Sequence, residues 1–243
     1  MKLNLTSINN RLKSCLARIL SNIQIKHKIP VNNGYVYLND GCFLDAYKAE
    51  TFMVDWINSI GGGVVYDIGA NVGTYSILLA KKCKVYSIEP SIKTLNILQK
   101  NLVSNNVFDK VTILPFAVSD SCKVQKYGHY ATVVNIDARG YTEDSKYFTD
   151  RKMTQTHDLL SFDLDTLVKL FNLPYPDYIK IDVDGAELNV LKGAKETMKH
   201  AKVMIVEIND KEALSLLKDF SVTRLTNYDN EHDYYLCKNK QVE

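Results

Sequence analysis

The sequence predicts an α/β fold: a parallel sheet covered by helices on both faces. Three observations predict it. From residue 64 onward, apolar runs of four to six residues alternate with helical segments, as buried parallel strands require. The first run, V-V-Y-D-I-G-A-N-V-G-T, passes directly from an apolar strand through a glycine turn into a helix. The second, V-Y-S-I-E, ends on an acid, Glu89.

Taken in order, residues 1–30 are expected to form a basic, amphipathic, helical segment. No Asp or Glu precedes Asp40, whereas Lys2, Arg11, Lys13, Arg18, Lys26 and Lys28 do. Ile8, Leu12, Cys15, Leu16, Ile19 and Ile23 recur at helical spacing, so one face is apolar and the other basic. Such a helix docks on its own domain, pairs two copies as a homodimer, or lies on an anionic membrane surface or lipid-linked substrate; an acid-poor targeting segment is a further reading. Arg18 interrupts the apolar stretch that a secretory signal needs. Pro30 and Asn32-Asn33-Gly34 end the segment.

Residues 31–243 read as one domain. A short hairpin is expected over 34–43 and a helix over 50–59, broken by Gly61-Gly62-Gly63. Strands follow at 64–68, 84–88, 111–116, 178–182 and 202–208, with helices at 72–81, 92–104, 164–171, 186–199 (interrupted near Gly193) and 211–219. Two last strands fall near 221–225 and 234–237. One region breaks the rhythm. Between 121 and 161 only two short strands, 123–126 and 132–136, are expected, then a polar stretch over 139–156. A long insertion after a sheet strand, on the rim where open α/β sheets bind ligands, is read as a substrate lid.

Bulk properties narrow the class. The chain has 243 residues, 46% apolar and 24% charged, ordinary for a soluble globular domain. Six of its 30 basic residues and none of its 28 acidic ones precede Asp40, so the remainder carries a net charge of −4 despite +2 for the whole. Five scattered cysteines without a C-x-x-C pair imply reduced thiols in a cytoplasmic setting. No apolar run nears the ~20 residues of a membrane span. An acidic main domain repels phosphates, so no nucleic-acid partner is expected.

The glycine turn selects the ligand. Dinucleotide sites need glycines at i, i+2 and i+5. From Gly69 those positions hold Gly69, Asn71 and Thr74, so the pattern fails; no Gly-Lys-Ser/Thr follows, which excludes a phosphate P-loop. An acid (Asp67), Gly69, Ala70, Asn71, Gly73 and Thr74 suit a ligand with an amine and a ribose, namely S-adenosylmethionine. Asp67 accepts from the turn and from the ligand's ammonium, or caps the turn only. Glu89, 20 residues after Gly69, is placed to accept both ribose hydroxyls. Pro90 turns the chain and Ser91 caps the next helix. Phe116, Ala117 and Val118 leave the third strand where an adenine ring would lie.

Chemistry is expected from the run Y-I-K-I-D-V-D-G-A-E over 178–187. Asp182 ends the fourth strand on the rim, and Lys180 shares its strand face and pairs with it. Glu187 opens a helix, as a catalytic group or a helix-start acid. Glu207 ends the fifth strand. Asp182 and Glu207 flank the transferred methyl as general base or orienting groups, or hold Mg²⁺ with Asn209. A calcium loop is excluded because Lys180 and Leu191 stand where it needs oxygen ligands. His129 and His157, inside the insertion, are candidate bases or surface histidines.

Four segments resemble the FkbM-type family of S-adenosylmethionine-dependent methyltransferases: V-Y-D-I-G-A-N-V-G-T-Y-S-I-L-L-A, V-Y-S-I-E-P-S, F-A-V-S-D and I-K-I-D-V-D-G-A-E-L-N-V-L-K-G-A. The first is shared by many methyltransferases; the last is more specific. The resemblance spans residues 35–208. It implies a doubly wound, Rossmann-like class I methyltransferase fold, with a seven-stranded, mostly parallel sheet whose last strand is antiparallel. It implies O-methyl transfer to sugars, glycans or hydroxylated natural products. The family commonly has Glu where this chain has Asp184, a conservative departure. A protein of the same fold that binds the cofactor without turnover is the alternative.

Overall fold

Strands whose side chains alternate between two apolar layers build the centre of the molecule. The computed structural model describes residues 27–31, 34–38, 50–131, 136–150, 153, 155–208, 210–225 and 233–242. The central sheet contains β3 (Val64–Ile68), β4 (Lys84–Ile88), β5 (Val111–Leu114), β10 (Tyr178–Ile181), β11 (Val203–Glu207), β12 (Phe220–Leu225) and β13 (Tyr234–Asn239). Their order is β12-β13-β11-β10-β3-β4-β5. Neighbours from β11 to β5 pair in parallel, and β13 runs antiparallel to both β11 and β12. This is the seven-stranded sheet, last strand reversed, that the resemblance implies.

The two layers follow from period-two alternation. Val65, Val85, Tyr178 and Ile205 enter one core, with Trp56 of α1 (Thr51–Ser59), Ile77 of α2 (Thr74–Leu79) and Leu98 and Leu102 of α3 (Ile92–Ser104). Tyr66, Ile68, Ile179, Ile181, Met204 and Val206 enter the other. There they meet α5 (Leu164–Leu170), α6 (Glu187–Lys192), α7 (Lys195–His200) and α8 (Lys211–Leu214). Both faces of β10 are buried, and its sequence is apolar apart from Lys180. One polar pair interrupts the first layer: Asp67 and Lys180 are register partners on adjacent strands.

Several boundaries differ from the sequence reading. The helix expected over 72–81 starts only at Thr74, because Asn71 (φ 50°) and Gly73 (φ 86°) hold a left-handed turn ahead of it. The helix over 186–199 divides into α6 and α7 at Gly193 and Ala194, at the interruption expected near Gly193. A hairpin pairs β1 (His27–Val31) with β2 (Gly34–Leu38), and residues 39–43 of the hairpin expected over 34–43 lie outside the described residues. Pro30 therefore lies in a strand, paired with Tyr35. Of the helical segment expected over residues 1–30, residues 27–30 belong to β1 instead, and residues 1–26 lie outside the described residues. No helix among the described residues is long and apolar enough to cross a membrane.

The insertion is the main correction. Where little regular structure is expected, β6 (Ala117–Ser119), β7 (Lys123–Ala131), β8 (Ile136–Thr142) and β9 (Gln155–Asp163) form a second sheet in the order β6-β9-β7-β8. A short helix, α4 (Lys146–Asp150), bridges β8 to β9. The polar stretch 139–156 thus contains the end of one strand, a helix and the start of another strand.

Candidate active site

The site begins with an ionic frame beneath the strand tips. Lys180 Nζ lies 3.1 Å from Asp67 Oδ1, 3.3 Å from Asp182 Oδ2, and donates to the Gly69 carbonyl at 3.2 Å. Burial alone would lower the Lys180 pKa, but the charges of Asp67 and Asp182 outweigh it and raise it. Asp67 is fully buried. Its second oxygen accepts from Ser76 Oγ at 2.5 Å, and Ser76 lies 2.7 Å from Ser87 Oγ. Asp67 is thus engaged from within the fold by Ser76 and Lys180. The pairing of Lys180 with Asp182 agrees with the sequence reading.

Backbone bonds lock the tips above this frame. Gly69 N and Ala70 N both donate to the Ile88 carbonyl, Glu89 N to Leu114, and Asp182 N to Ile68. Gly69 has φ 77°, and a Cβ there would stand 1.8 Å from the Asp182 carbonyl oxygen. Glycine is required because the chain beyond β10 passes directly over it.

A cavity opens over the tips. Its wall includes Gly69, Asn71, Glu89, Pro90, Phe116, Ala117, Val118 and Asp182, all expected from the sequence, together with Ile68, Ile88, Thr94, Val183, Asp184 and Ala186. Asp67, Ala70, Gly73, Thr74 and Ser91 lie outside the wall and support it. The Glu89 carboxylate is held from both ends: Asn71 N donates to Oε2 at 3.0 Å and Ser91 N to Oε1 at 2.9 Å. Burial pushes its pKa up to about 7, against the lowering by those two N–H groups. Ser91 caps α3 through Thr94 N, as expected. Asn71 Oδ1 is buried and has no hydrogen-bond partner among the described residues. Phe116 meets the Phe162 ring edge-on at 5.0 Å, which fixes one end of the cavity.

The three carboxylates expected to act on an acceptor differ in exposure. Asp182 is in the cavity wall with its side chain 24% exposed. Glu187 is buried and folds back to accept from Gly185 N at 2.7 Å, as a helix-start acid does; burial raises its pKa to about 7. Glu207 is buried at the end of β11, in register with Tyr234. Burial first, then the charges of Asp182, Glu50 and Glu207, raise the Tyr234 pKa and keep its hydroxyl protonated. Tyr75 donates a short hydrogen bond to Glu50 in the same region. Asn209 lies outside the described residues, and no three metal-ligating side chains converge among the described ones.

Sequence reasoning missed the wall on the insertion side. Tyr127, Gly140 and Thr142 line the same cavity as Glu89. His129 and His157 flank the Tyr127 ring at 5.2 and 5.5 Å between centroids. Ser76 and Ser87 were also missed. Ser87 is a small hydroxyl residue inside the otherwise buried end of β4, a signal that could have found it.

Comparison with known proteins gives the family. The family model described as Methyltransferase FkbM domain matches residues 67–236. The hexuronic acid methyltransferase AglP of Haloferax volcanii is 28% identical over 71% of this chain and 69% of its own length. Methyltransferase sdnD of Sordaria araneosa is 25% identical over 54% of this chain and 60% of its own length. A crystal structure of the methyltransferase FkbM of Methylobacillus flagellatus KT shares the fold with a TM-score of 0.51 at 16% identity, over 74% of this chain. This chain spans only 45% of that protein. The glycine turn, the strand-end acid and the run from Lys180 to Glu187 all fall within or beside the matched region, and the chain belongs to the FkbM methyltransferase family.

Proposed function

We propose that the chain binds S-adenosylmethionine in the Glu89 cavity and transfers its methyl group to a hydroxyl oxygen of a sugar or related acceptor, free or carried on a glycan or lipid. One observation carries the reading. Each Glu89 oxygen holds one backbone N–H, which leaves a further lone pair on each for the two hydroxyls of a ribose. The orphaned Asn71 Oδ1 on the same wall fits a donor on the ligand. The name of the Haloferax relative supports a sugar acceptor.

When bound, the sulfonium supplies an already activated methyl group. The chain supplies alignment, which can contribute ~7–11 kcal/mol. Asp182 is the carboxylate placed to orient the attacking hydroxyl and accept its proton as the new O–C bond forms. A base so placed adds about 10²–10⁴-fold. Lys180 joins Asp182 to Asp67 and Gly69, so the carboxylate is held in one position. The test is transfer of labelled methyl to hexuronic acids, neutral sugars and their glycans. Asp182→Asn should lose at least about 10² in kcat, with S-adenosylhomocysteine affinity within about threefold. Cofactor binding without transfer to any hydroxylated acceptor would leave the non-catalytic alternative standing.

A further inference from the structure

The insertion touches the site through one aromatic side chain. Tyr127 is 2% exposed and lies in the cavity wall with Glu89. Its hydroxyl is hydrogen-bonded with the Ser91 side chain, and Ser91 N in turn holds Glu89. Its ring is boxed by His129, edge-on, and by His157. On the remaining side stands Gly140. A Cβ at that position would come within 2.5 Å of Tyr127 Cε1, Cζ and Oη. The absence of a side chain at residue 140 is therefore what lets the phenol lie where it does. Gly140 also lines the cavity.

We infer that Tyr127 is a positioning residue for the nucleoside half of the cofactor, and that Gly140 is the specificity element that admits its ring. The inference rests on the reading of the cavity as a cofactor site and deepens it: the insertion, read from sequence as a lid over the acceptor, forms the outer wall of the cofactor pocket. A phenol beside a ribose carboxylate serves two purposes. Its face and edge exclude water from the hydroxyl–carboxylate contacts, which strengthens them. Its link to Ser91 ties β7 to the turn after β4, so the second sheet and the strand-end acid hold one geometry. No contact to the amino-acid half is required, so the effect belongs to the nucleoside.

The test is calorimetric titration of the full chain with S-adenosylhomocysteine and with 5′-methylthioadenosine, which lacks the amino-acid half. Tyr127→Ala should weaken both ligands by the same factor, roughly tenfold or more. Tyr127→Phe keeps the ring and should recover most of that loss, leaving a deficit of about two- to tenfold for the hydroxyl. Gly140→Ala should weaken both ligands while the ring is present. Combined with Tyr127→Ala it should add nothing, since the methyl then has no ring to meet. Val124→Thr, on the exposed outer face of the same strand, should leave both affinities unchanged. Near-ultraviolet circular dichroism confirms that each variant is folded. Folded Tyr127→Ala with wild-type affinity would overturn the inference while leaving the cofactor site intact. Full additivity of the two substitutions would overturn the role of Gly140. A wild-type chain that gives no heat with either ligand would overturn the cofactor reading and this inference together.

Discussion

Raising the pH from about 6 to about 8 should strengthen nucleoside binding, and Glu89 sets the size of the effect. Its carboxyl ordinarily titrates at 4.5, and burial, partly offset by the Ser91 and Asn71 N–H groups, pushes it up to about 7. A proton on Glu89 occupies a lone pair that a ribose hydroxyl needs. The ionised fraction rises from about one tenth to about nine tenths over that interval, so affinity should rise about tenfold. 5′-Methylthioadenosine is the suitable ligand because none of its own groups titrates in the interval. Calorimetry in two buffers of different ionisation heat should show release of about half a proton at pH 7. Stability of the empty protein moves the other way. A folded-state pKa above the unfolded one favours the protonated form, so this contribution is complete below about pH 4.5 and is lost as pH rises through about 7. The loss is about 3 kcal/mol for Glu89, and Glu187, raised to about 7 by burial, acts in the same direction. Glu89→Gln should flatten the affinity profile and lower affinity at pH 8. Equal affinity at both pH values, with no proton released, would refute the assignment of Glu89 to the ribose.

Two further outcomes test the frame beneath the site. Lys180→Met leaves Asp67 buried without its cation and should cost about 3–5 kcal/mol in urea unfolding, with partial recovery when Asp67→Asn is added; a loss under about 1 kcal/mol would show the pair to be idle. Gly69→Ala places a methyl 1.8 Å from the Asp182 carbonyl at φ 77° and should cost at least about 2–3 kcal/mol in thermal unfolding, and a stability equal to wild type would show that the β10 turn can move aside.

The parts of the molecule that can be read from sequence share a physical cause. β3, β4 and β10 are packed by helices on both sides, so their apolar runs are nearly unbroken, and each ends at a glycine or an acid on the same rim. Glu89 is legible because the length of a strand–helix–strand unit places it about 20 residues after the first glycine. The second sheet inverts the usual signal. Its buried side presents Gln125 and Tyr127, while Val124 and Leu160 are 65% and 54% exposed on the other. Val124 and Leu160 are cross-strand partners, so the apolar pair faces outward, while Gln125 and Tyr127 are buried and Tyr127 lines the cavity. Alternation was present, with the opposite sign to the one that marks a core strand.

Asp67 shows why the chemistry of a strand-end acid cannot be settled without register. It sits one residue before the end of β3, which turns it toward the layer that holds Val65 and away from the cavity. Its neighbours there are Lys180 and Ser87, opposite it on the two flanking strands. There the buried carboxylate faces an ammonium at 3.1 Å and a hydroxyl at 2.5 Å. The same lysine reaches the Gly69 carbonyl and Asp182, so the charge on Asp67 acts on the site indirectly, by fixing the turn of β3 against the tip of β10. The polar groups one step further along the chain face the opening instead: Asn71 beyond the turn, Glu89 beyond β4, and Asp182 beyond β10. All three line the cavity.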